Sequence, residues 1–149
     1  MTDQTVRSVT LTRVFKAPIA LVFEAWTKTE YMTQWMRCDP GMEVSYEGWE
    51  PRVGTKFKTT MSKPGEWSNE GTGTVLEVDP PRLLVYTGDP DEKLGMPEMT
   101  VRVELEEVEG GTQLTLTHTG MPNDMMCGII EGGWTGGMKL LEDVLAKLV

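Results

Sequence analysis

The sequence has very few residues of the kinds that bind transition metals or form disulfides. It contains two cysteines, Cys38 and Cys127, and a single histidine, His118. The cysteines form neither a CxxC motif nor a zinc-ligand spacing, and one histidine cannot complete a tetrahedral metal site. The sequence therefore predicts no metal site and no structural disulfide. We expect a reducing compartment, most simply the cytoplasm.

Long apolar runs are absent, and positive charge is scarce. No stretch approaches the roughly 18 to 20 apolar residues of a membrane-spanning helix, and the first residues lack the pattern of a signal peptide. Acidic residues outnumber basic ones by 23 to 14, which gives a net charge of -9. Such a surface repels phosphate backbones and anionic lipids. We expect a soluble protein that binds neither nucleic acid nor membranes.

Recognisable catalytic and cofactor motifs are also missing. The GTGT stretch at residues 71–74 enters a predicted strand rather than a helix, so it is not a dinucleotide-binding fingerprint. No serine lies in a nucleophile elbow, and neither cysteine is paired with an identifiable base. The sequence thus predicts no cofactor.

Methionine and tryptophan, in contrast, are abundant, with eleven and five residues. Methionine adapts to irregular apolar gaps and to varied apolar partners, so this surplus is typical either of ordinary core filling or of a ligand cavity. The length indicates a single domain over residues 1–149, which is large enough to bury a core without disulfides or metals.

Periodicity predicts one strand, two short helices, six further strands and a long final helix. The first strand is predicted at 5–15, and the two helices are opened by Pro18 and by a capping box of Thr27 and Glu30. Asn123 or Asp124 is expected to cap the final helix. The six strands, separated by short turns typical of an antiparallel meander, are predicted at 42–49, 54–62, 67–78, 82–88, 97–108 and 112–119.

The final helix combines an apolar stripe with an unusual number of glycines. The stripe recurs at helical spacing through Trp134, Met138, Leu141, Leu145 and Leu148. Four glycines near its start together disfavour the helix by about 3 to 4 kcal/mol relative to alanine. They either let the sheet backbone approach closely, or leave space for a ligand beside Trp134, or mark a frayed helix. These glycines are Gly132, Gly133, Gly136 and Gly137.

Alternation along the strands predicts which side chains point into the concave face of the sheet. His118 is expected to share the inward face of its strand with Leu114 and Leu116. It is either a hydrogen-bonded residue without chemistry, or a ligand anchor or general acid–base. The pattern does not orient Tyr86. The other residues predicted to point inward are Met42, Val44, Tyr46, Phe57, Thr59, Met61, Val101, Val103 and Leu105.

Three segments carry a family resemblance: PIALVFEAWTKTEYMTQWM at 18–36, GTVLEVDPPRLLVYT at 73–87, and LTLTHTGMP with GGWTGGMKLLEDVL within 114–144. They resemble the Hsp90-ATPase-activator-homologue-like branch of the START-like, or Bet v 1-like, helix-grip superfamily. The resemblance implies an α+β fold in which a seven-stranded curved antiparallel sheet wraps a long C-terminal helix, with two short helices after the first strand. It also implies a cavity between sheet and helix, which holds an apolar small molecule in many relatives.

We expect this cavity to bind a small apolar or aromatic molecule without catalysis. One alternative is a cyclase- or aromatase-like enzyme that uses His118 with Tyr46 or Tyr86. A weaker alternative is a co-chaperone of an Hsp90-type chaperone, since in the eukaryotic activators the related segment follows another domain that is not expected here. The ligand's identity and a homodimer are left open. The predicted ligand-binding residues are Tyr46, Phe57, Met61, Val101, Val103, Leu116, His118, Ile130, Gly133, Trp134 and Gly137.

Overall fold

One antiparallel sheet of seven strands and three helices make up the part of the chain that the computed structural model describes, residues 7–37, 41–93, 95 and 97–149. This confirms the predicted α+β helix-grip arrangement and its order of elements. Thr5 and Val6, at the predicted start of the first strand, and Cys38 lie outside the described residues. The elements are β1 (Arg7–Phe15), α1 (Ile19–Thr27), α2 (Thr29–Trp35), β2 (Glu43–Glu47), β3 (Lys56–Lys63), β4 (Trp67–Asp79), β5 (Leu83–Gly88), β6 (Met99–Val108), β7 (Gly111–Met121) and α3 (Asp124–Leu148).

The sheet is an antiparallel meander of β2 to β7, with β1 added at the edge beside β7. Its strands lie in the order β1-β7-β6-β5-β4-β3-β2, so β1 pairs with the last strand and leaves β2 at the opposite edge. Leu11 of β1 and Val103 of β6 both lie opposite Leu116 of β7. A register shift between Val75 and Glu77 interrupts the pairing of β4 with β5. Such bulges bend a strand, and the curved sheet presents one concave face to the helices.

The burial of side chains follows the predicted alternation on the central strands. In β7, Leu114, Leu116 and His118 are buried, whereas the threonines between them are only partly so. In β6, Val101, Val103 and Leu105 are buried and alternate with the exposed Arg102 and Glu104. The inward orientation predicted for these strands is therefore confirmed, because one face of the sheet packs against the helices and the other meets solvent.

The predicted capping box between the two short helices is wrong. Thr27 is still the last residue of α1, and its hydroxyl donates a hydrogen bond to the carbonyl of Phe23 at 2.9 Å. Lys28 precedes α2 and no side chain caps that helix, although Glu30 lies in its first turn. The hydroxyl bonds backward along α1 because Thr27 belongs to that helix, and threonine side chains within helices often bond to the carbonyl one turn earlier.

Two tryptophans bind carbonyl groups that the end of α1 leaves without helical partners. The indole N–H of Trp35 donates to the carbonyl of Ala25, and that of Trp49 donates to the carbonyl of Thr27, both at 2.8 Å. The last four carbonyls of a helix lack intrahelical donors, so these contacts satisfy groups that would otherwise need water. They also fix both indole rings relative to α1.

Only the later part of α3 is buried. Its start is capped as predicted, since the Asn123 side chain accepts a hydrogen bond from the Met126 amide at 2.8 Å. Ile129 in the second turn is 59 % exposed. Leu148, the last residue of α3 and of the apolar stripe, is 37 % exposed. The buried residues of α3 are Gly137, Met138, Leu141, Val144 and Leu145.

No helix in the described ranges has the length and apolarity needed to cross a membrane.

Three tryptophans join the helices in the core. Trp26 of α1 and Trp35 of α2 are fully buried and meet edge to face, with ring centroids 4.6 Å apart. Trp134 of α3 stacks on Trp26 at 5.7 Å and an interplanar angle of 27°. Aromatic pairs of this kind stabilise by about 0.5 to 1.5 kcal/mol beyond the area they bury. They therefore hold Trp134 in place, although the helix around it is half exposed.

Candidate functional site

A cavity of about 380 Å³ lies between the concave face of the sheet, α2 and Trp134 of α3. This volume falls within the range of pockets that hold small molecules. The inner part is apolar and aromatic, whereas the mouth lies at exposed polar residues near the start of β4 and the end of β5. The inner part is lined by Met32, Met36, Tyr46, Trp49, Phe57, Thr59, Met61, Tyr86, Thr87, Met99, Val101, His118 and Trp134. The mouth is lined by Asn69, Glu70, Gly71, Thr72, Gly88, Asp89 and Asp91.

Four aromatic rings form one wall of the cavity. Trp49 is the centre of this group: its ring meets Phe57 at 4.9 Å and Tyr86 at 5.8 Å, both nearly perpendicular, and Tyr46 at 6.3 Å. Phe57 and Tyr86 are also in contact, with centroids 5.9 Å apart. Edge-to-face contacts suit the charge distribution of aromatic rings, so the group supports itself when nothing is bound. We call these four residues the aromatic wall.

Gly73 of β4 makes room for one ring of the aromatic wall. Phe57 lies opposite Gly73 in the sheet, and its Cζ atom is 2.7 Å from the place that a Cβ on Gly73 would occupy. The same Cβ would overlap the carbonyl oxygen of Thr87 on the next strand. Because glycine has no side chain, the Phe57 ring can lie across the strand at this point. The GTGT stretch thus has a structural role in the wall.

His118 and Trp134 form a hydrogen-bonded pair on the opposite side of the cavity. The indole N–H of Trp134 donates to Nδ1 of His118 at 2.9 Å, and Nε2 of the imidazole lies 3.3 Å from the sulfur of Met99. An indole nitrogen can only donate, so Nδ1 must be the acceptor and the proton of the neutral ring resides on Nε2. Burial lowers the pKa of His118 from 6.5 to about 4. The imidazole is therefore uncharged near neutral pH.

The two cavity tyrosines are also uncharged near neutral pH. Burial raises the pKa of Tyr46 well above its ordinary value of 10.0, and the nearby Tyr86 raises it further. Burial likewise raises the pKa of Tyr86. The Tyr46 hydroxyl donates to the sulfur of Met36 at 2.8 Å. Within the described part of the chain the Tyr86 hydroxyl has no hydrogen-bond partner, which leaves it as a polar group in an apolar wall.

The arrangement favours binding over acid–base chemistry. Nδ1 of His118 already accepts a hydrogen bond from the Trp134 indole N–H, and Nε2 faces a thioether, which is a poor hydrogen-bond acceptor. A pKa of about 4 makes the imidazole a weak base. The described residues contain no cluster of histidine, cysteine or carboxylate side chains that could hold a metal ion. What the cavity offers is apolar surface, aromatic rings and a phenol.

Six of the residues predicted to contact a ligand line the cavity: Tyr46, Phe57, Met61, Val101, His118 and Trp134. The structure places the other five elsewhere. Val103 and Leu116 are buried deeper in the core, at 1 % and 0 % exposure. Ile130 and Gly133 are half-buried on α3 without bordering the cavity, and Gly137 packs against α2. Alternation identifies the inward face of a strand but not the distance of each residue from the cavity.

Sequence reasoning missed several cavity residues. Met32 on α2 and Met36, the residue that follows that helix, both border the cavity, as does Met99 at the start of β6. Trp49 lies just after β2, in the EGWE stretch that looks like a solvated turn. The signal that could have identified Trp49 is a large aromatic residue flanked by acidic residues at a strand end. Tyr86, which the pattern did not orient, also faces the cavity.

Two of the four glycines in α3, Gly132 and Gly137, have different surroundings. A Cβ on Gly137 would lie 3.4 Å from the carbonyl oxygen of Trp35 and 3.6 Å from that of Arg37, so Gly137 allows α3 to approach the end of α2 rather than the sheet. A Cβ on Gly132 would meet nothing within 4 Å. The helix continues without a break through both positions.

The fold and the cavity define the class of protein: an α+β helix-grip domain with an apolar pocket between sheet and helices. Residues 16–146 match the family described as Activator of Hsp90 ATPase homolog 1-like protein. The chain therefore belongs to this family.

Solved structures with the same fold come from several bacteria. Protein CV1439 from Chromobacterium violaceum superposes with a TM-score of 0.85 at 23% identity, covering 93% of this chain and 96% of that one. Protein NE0264 from Nitrosomonas europaea gives 0.80 at 24% identity, with coverage of 95% and 96%. An AHSA1-like protein from Aeromonas hydrophila gives 0.80 at 19% identity, with coverage of 95% and 94%. At these identities the likeness concerns the fold alone. No curated protein matches the chain.

Proposed function

We propose that this protein binds a small molecule with an apolar, aromatic body in the cavity between the sheet and Trp134. The observation that carries the proposal is the composition of the inner lining, where five phenylalanine, tyrosine and tryptophan rings and four methionines surround about 380 Å³. Aromatic rings offer large, rigid contact areas, and methionine adapts to the outline of a partner. A few polar groups in an apolar pocket are the usual basis for orienting a ligand.

The polar groups in this lining fit a binding role. The Tyr86 hydroxyl can donate to or accept from a ligand, because no described residue pairs with it. The His118–Trp134 pair keeps the opposite side neutral and fixes the indole edge. An enzyme of the cyclase or aromatase kind would need a group able to move a proton near neutral pH, and the lowered pKa of His118 and raised pKa values of both tyrosines oppose that role.

The test is a fluorescence titration with N-phenyl-1-naphthylamine, an uncharged probe that brightens in apolar surroundings. We expect saturable binding with a stoichiometry of one. The variant Thr59→Trp should weaken binding at least about tenfold, because Thr59 lines the cavity and a large side chain there occupies the ligand's space. Thr60→Trp is the matched control, since the next residue along β3 points to the other face of the sheet.

The comparison between the two variants decides the outcome. If both bind the probe as the wild type does, or if the wild type shows no saturable response, the proposal is wrong. Circular dichroism and a denaturation curve for each variant show whether the fold is kept. Equal weakening in two folded variants would also contradict the proposal, since it would place the probe away from the cavity.

A further inference from the structure

We propose that Tyr86 selects the ligand of this cavity: its hydroxyl donates a hydrogen bond to an uncharged acceptor, such as a ketone carbonyl, on the ligand's aromatic body. This inference rests on the proposed function and names the chemical group that the ligand presents to the protein. The juxtaposition that carries it is a phenol, paired with no described residue, among the apolar and aromatic side chains of the lining.

Strand register places Tyr86 on the inner face of the sheet. Tyr86 of β5 lies opposite Val101 of β6, and Val101 lies opposite His118 of β7. Residues directly opposite each other in neighbouring strands point to the same face, and Val101 and His118 both line the cavity. The Tyr86 ring is held there by edge-to-face contacts with Trp49 at 5.8 Å and Phe57 at 5.9 Å. The protein itself therefore positions the phenol.

The Tyr86 hydroxyl lies deep in the protein but remains accessible from the cavity. No residue in the described ranges hydrogen-bonds to it, yet it is not sealed off, as the indole nitrogen of Trp26 and the hydroxyl of Thr55 are. Its accessible surface lies toward the cavity, because Tyr86 belongs to the lining and to the inner face of the sheet. Burial raises the pKa of the phenol, so it keeps its proton near neutral pH. The hydroxyl is thus an available donor.

The other donors of the inner lining already have partners. The Tyr46 hydroxyl donates to the sulfur of Met36 at 2.8 Å, and the Trp134 indole donates to Nδ1 of His118 at 2.9 Å. Nε2 of His118, which carries the proton of the neutral ring, lies against a methionine sulfur at 3.3 Å. A ligand would have to displace one of these contacts to use the donor, whereas Tyr86 requires no displacement within the described protein.

Two threonine hydroxyls also belong to the lining. That of Thr87 bonds to the backbone amide and carbonyl of Thr74, at 3.1 and 3.4 Å. Thr59 lies opposite the exposed Gly71 at the mouth, where its half-buried side chain is closer to solvent. The donor that a ligand meets away from the mouth is therefore Tyr86.

An uncharged acceptor suits the Tyr86 hydroxyl better than a donor or an anion. A ligand that displaces water from this O–H leaves it unpaired unless the ligand supplies an acceptor, and an unpaired buried donor weakens binding. A carboxylate would also accept, but no described lysine or arginine lines the cavity to offset the loss of its hydration. A carbonyl oxygen meets both conditions.

The test compares 2-acetonaphthone with 2-isopropenylnaphthalene, in which a CH₂ group replaces the carbonyl oxygen without changing the shape. Each competes with N-phenyl-1-naphthylamine, whose own affinity is measured for each protein. Tyr86→Phe removes only the hydroxyl, and Tyr46→Phe is the matched control, because that cavity hydroxyl already donates to Met36. We expect Tyr86→Phe to weaken the ketone about threefold to tenfold relative to the hydrocarbon, as for one neutral hydrogen bond. Tyr46→Phe should leave this ratio unchanged.

Infrared spectroscopy gives a second measurement that does not depend on affinity. A ketone carbonyl that accepts a hydrogen bond absorbs at a lower frequency than the same carbonyl in hexane. We expect the bound ketone to show the lowered frequency in the wild type and in Tyr46→Phe, and the hexane frequency in Tyr86→Phe. The hexane frequency in the wild type would overturn the inference without reference to either variant.

The outcomes separate the two proposals. If Tyr86→Phe leaves the ratio of the two affinities unchanged, or if Tyr46→Phe changes it equally, selection by Tyr86 is overturned while binding in the cavity stands. If neither the probe nor either naphthalene compound binds to the wild type, the proposed function itself fails.

Discussion

Lowering the pH should destabilise this protein through His118, and the size of the effect follows from the site. The folded-state pKa of His118 is about 4, against 6.5 for an unperturbed imidazole. Between these values the unfolded chain binds a proton that the folded chain does not. The contribution of the neutral His118 ring to the free energy of unfolding is therefore fully present above about pH 6.5. It is lost as the pH falls toward 4.

The magnitude is worked from the same two pKa values. Because the two states bind the proton with different pKa values, the free energy of unfolding falls by about 2 kcal/mol from about pH 7 to about pH 5. The loss reaches about 3 kcal/mol as the pH approaches 4. The structural cause is that a protonated ring could no longer accept from Trp134, whose indole N–H points at Nδ1 from 2.9 Å. Against a typical total stability of about 5 to 15 kcal/mol, this loss is measurable.

Carboxylates also titrate in this range, so the assay needs a variant that lacks only the imidazole. His118→Gln keeps an oxygen that can accept from the Trp134 indole. Urea denaturation of both proteins at about pH 7 and about pH 5 should show the wild type losing about 2 kcal/mol more than the variant. The contributions of the carboxylates cancel in this difference.

Protonation of His118 can also be followed directly by NMR. The chain contains one histidine, so the histidine ring signals in the spectrum all belong to His118. We expect the ring carbon-bound proton signals to stay unchanged from about pH 8 down to about pH 5.5. A titration with a midpoint near the ordinary value of 6.5 would refute the reasoning, because the folded and unfolded chains would then bind the proton equally well.

Three further changes should alter stability, each measured by urea denaturation. Gly132→Ala should stabilise by about 0.8 to 1 kcal/mol, because the position is helical and open, and a loss of stability there would contradict this account. Gly73→Ala should destabilise by about 2 kcal/mol or more through overlap with the Thr87 carbonyl, and a neutral result would show that β4 shifts freely. Asn123→Ala should cost about 1 kcal/mol by removing the acceptor for the Met126 amide, whereas an unchanged midpoint would mean the cap contributes nothing.

The course of the chain through strands and helices was predictable because it depends on neighbours close in sequence. Alternating apolar residues in β6 and β7 and the helical spacing of Met138 and Leu141 reflect fixed backbone repeats. Cap residues act within one turn, which is why the cap of α3 could be narrowed to Asn123 or Asp124. Thr27 could either end α1 or cap α2, and the local sequence did not distinguish the two. Because α1 includes Thr27, the predicted capping box with Glu30 was wrong.

The membership of the cavity was only partly predictable. Val101 and Val103 share one strand face and have the same chemistry, yet only Val101 borders the cavity. The difference depends on how far the curved sheet brings each residue toward the helices. Trp49 illustrates the same limit, because it reaches the cavity from an irregular segment where no periodicity applies.

The sequence by itself determined the order of elements, the inward face of the central strands and the excess of negative charge, because each depends on residue types and short spacings. Only the tertiary structure decided that Trp134 bonds to His118 and that Gly137 faces α2 while Gly132 faces solvent. These relations join residues distant in sequence. They depend on the curvature of the sheet and the approach of the helices, which are properties of the packed chain as a whole.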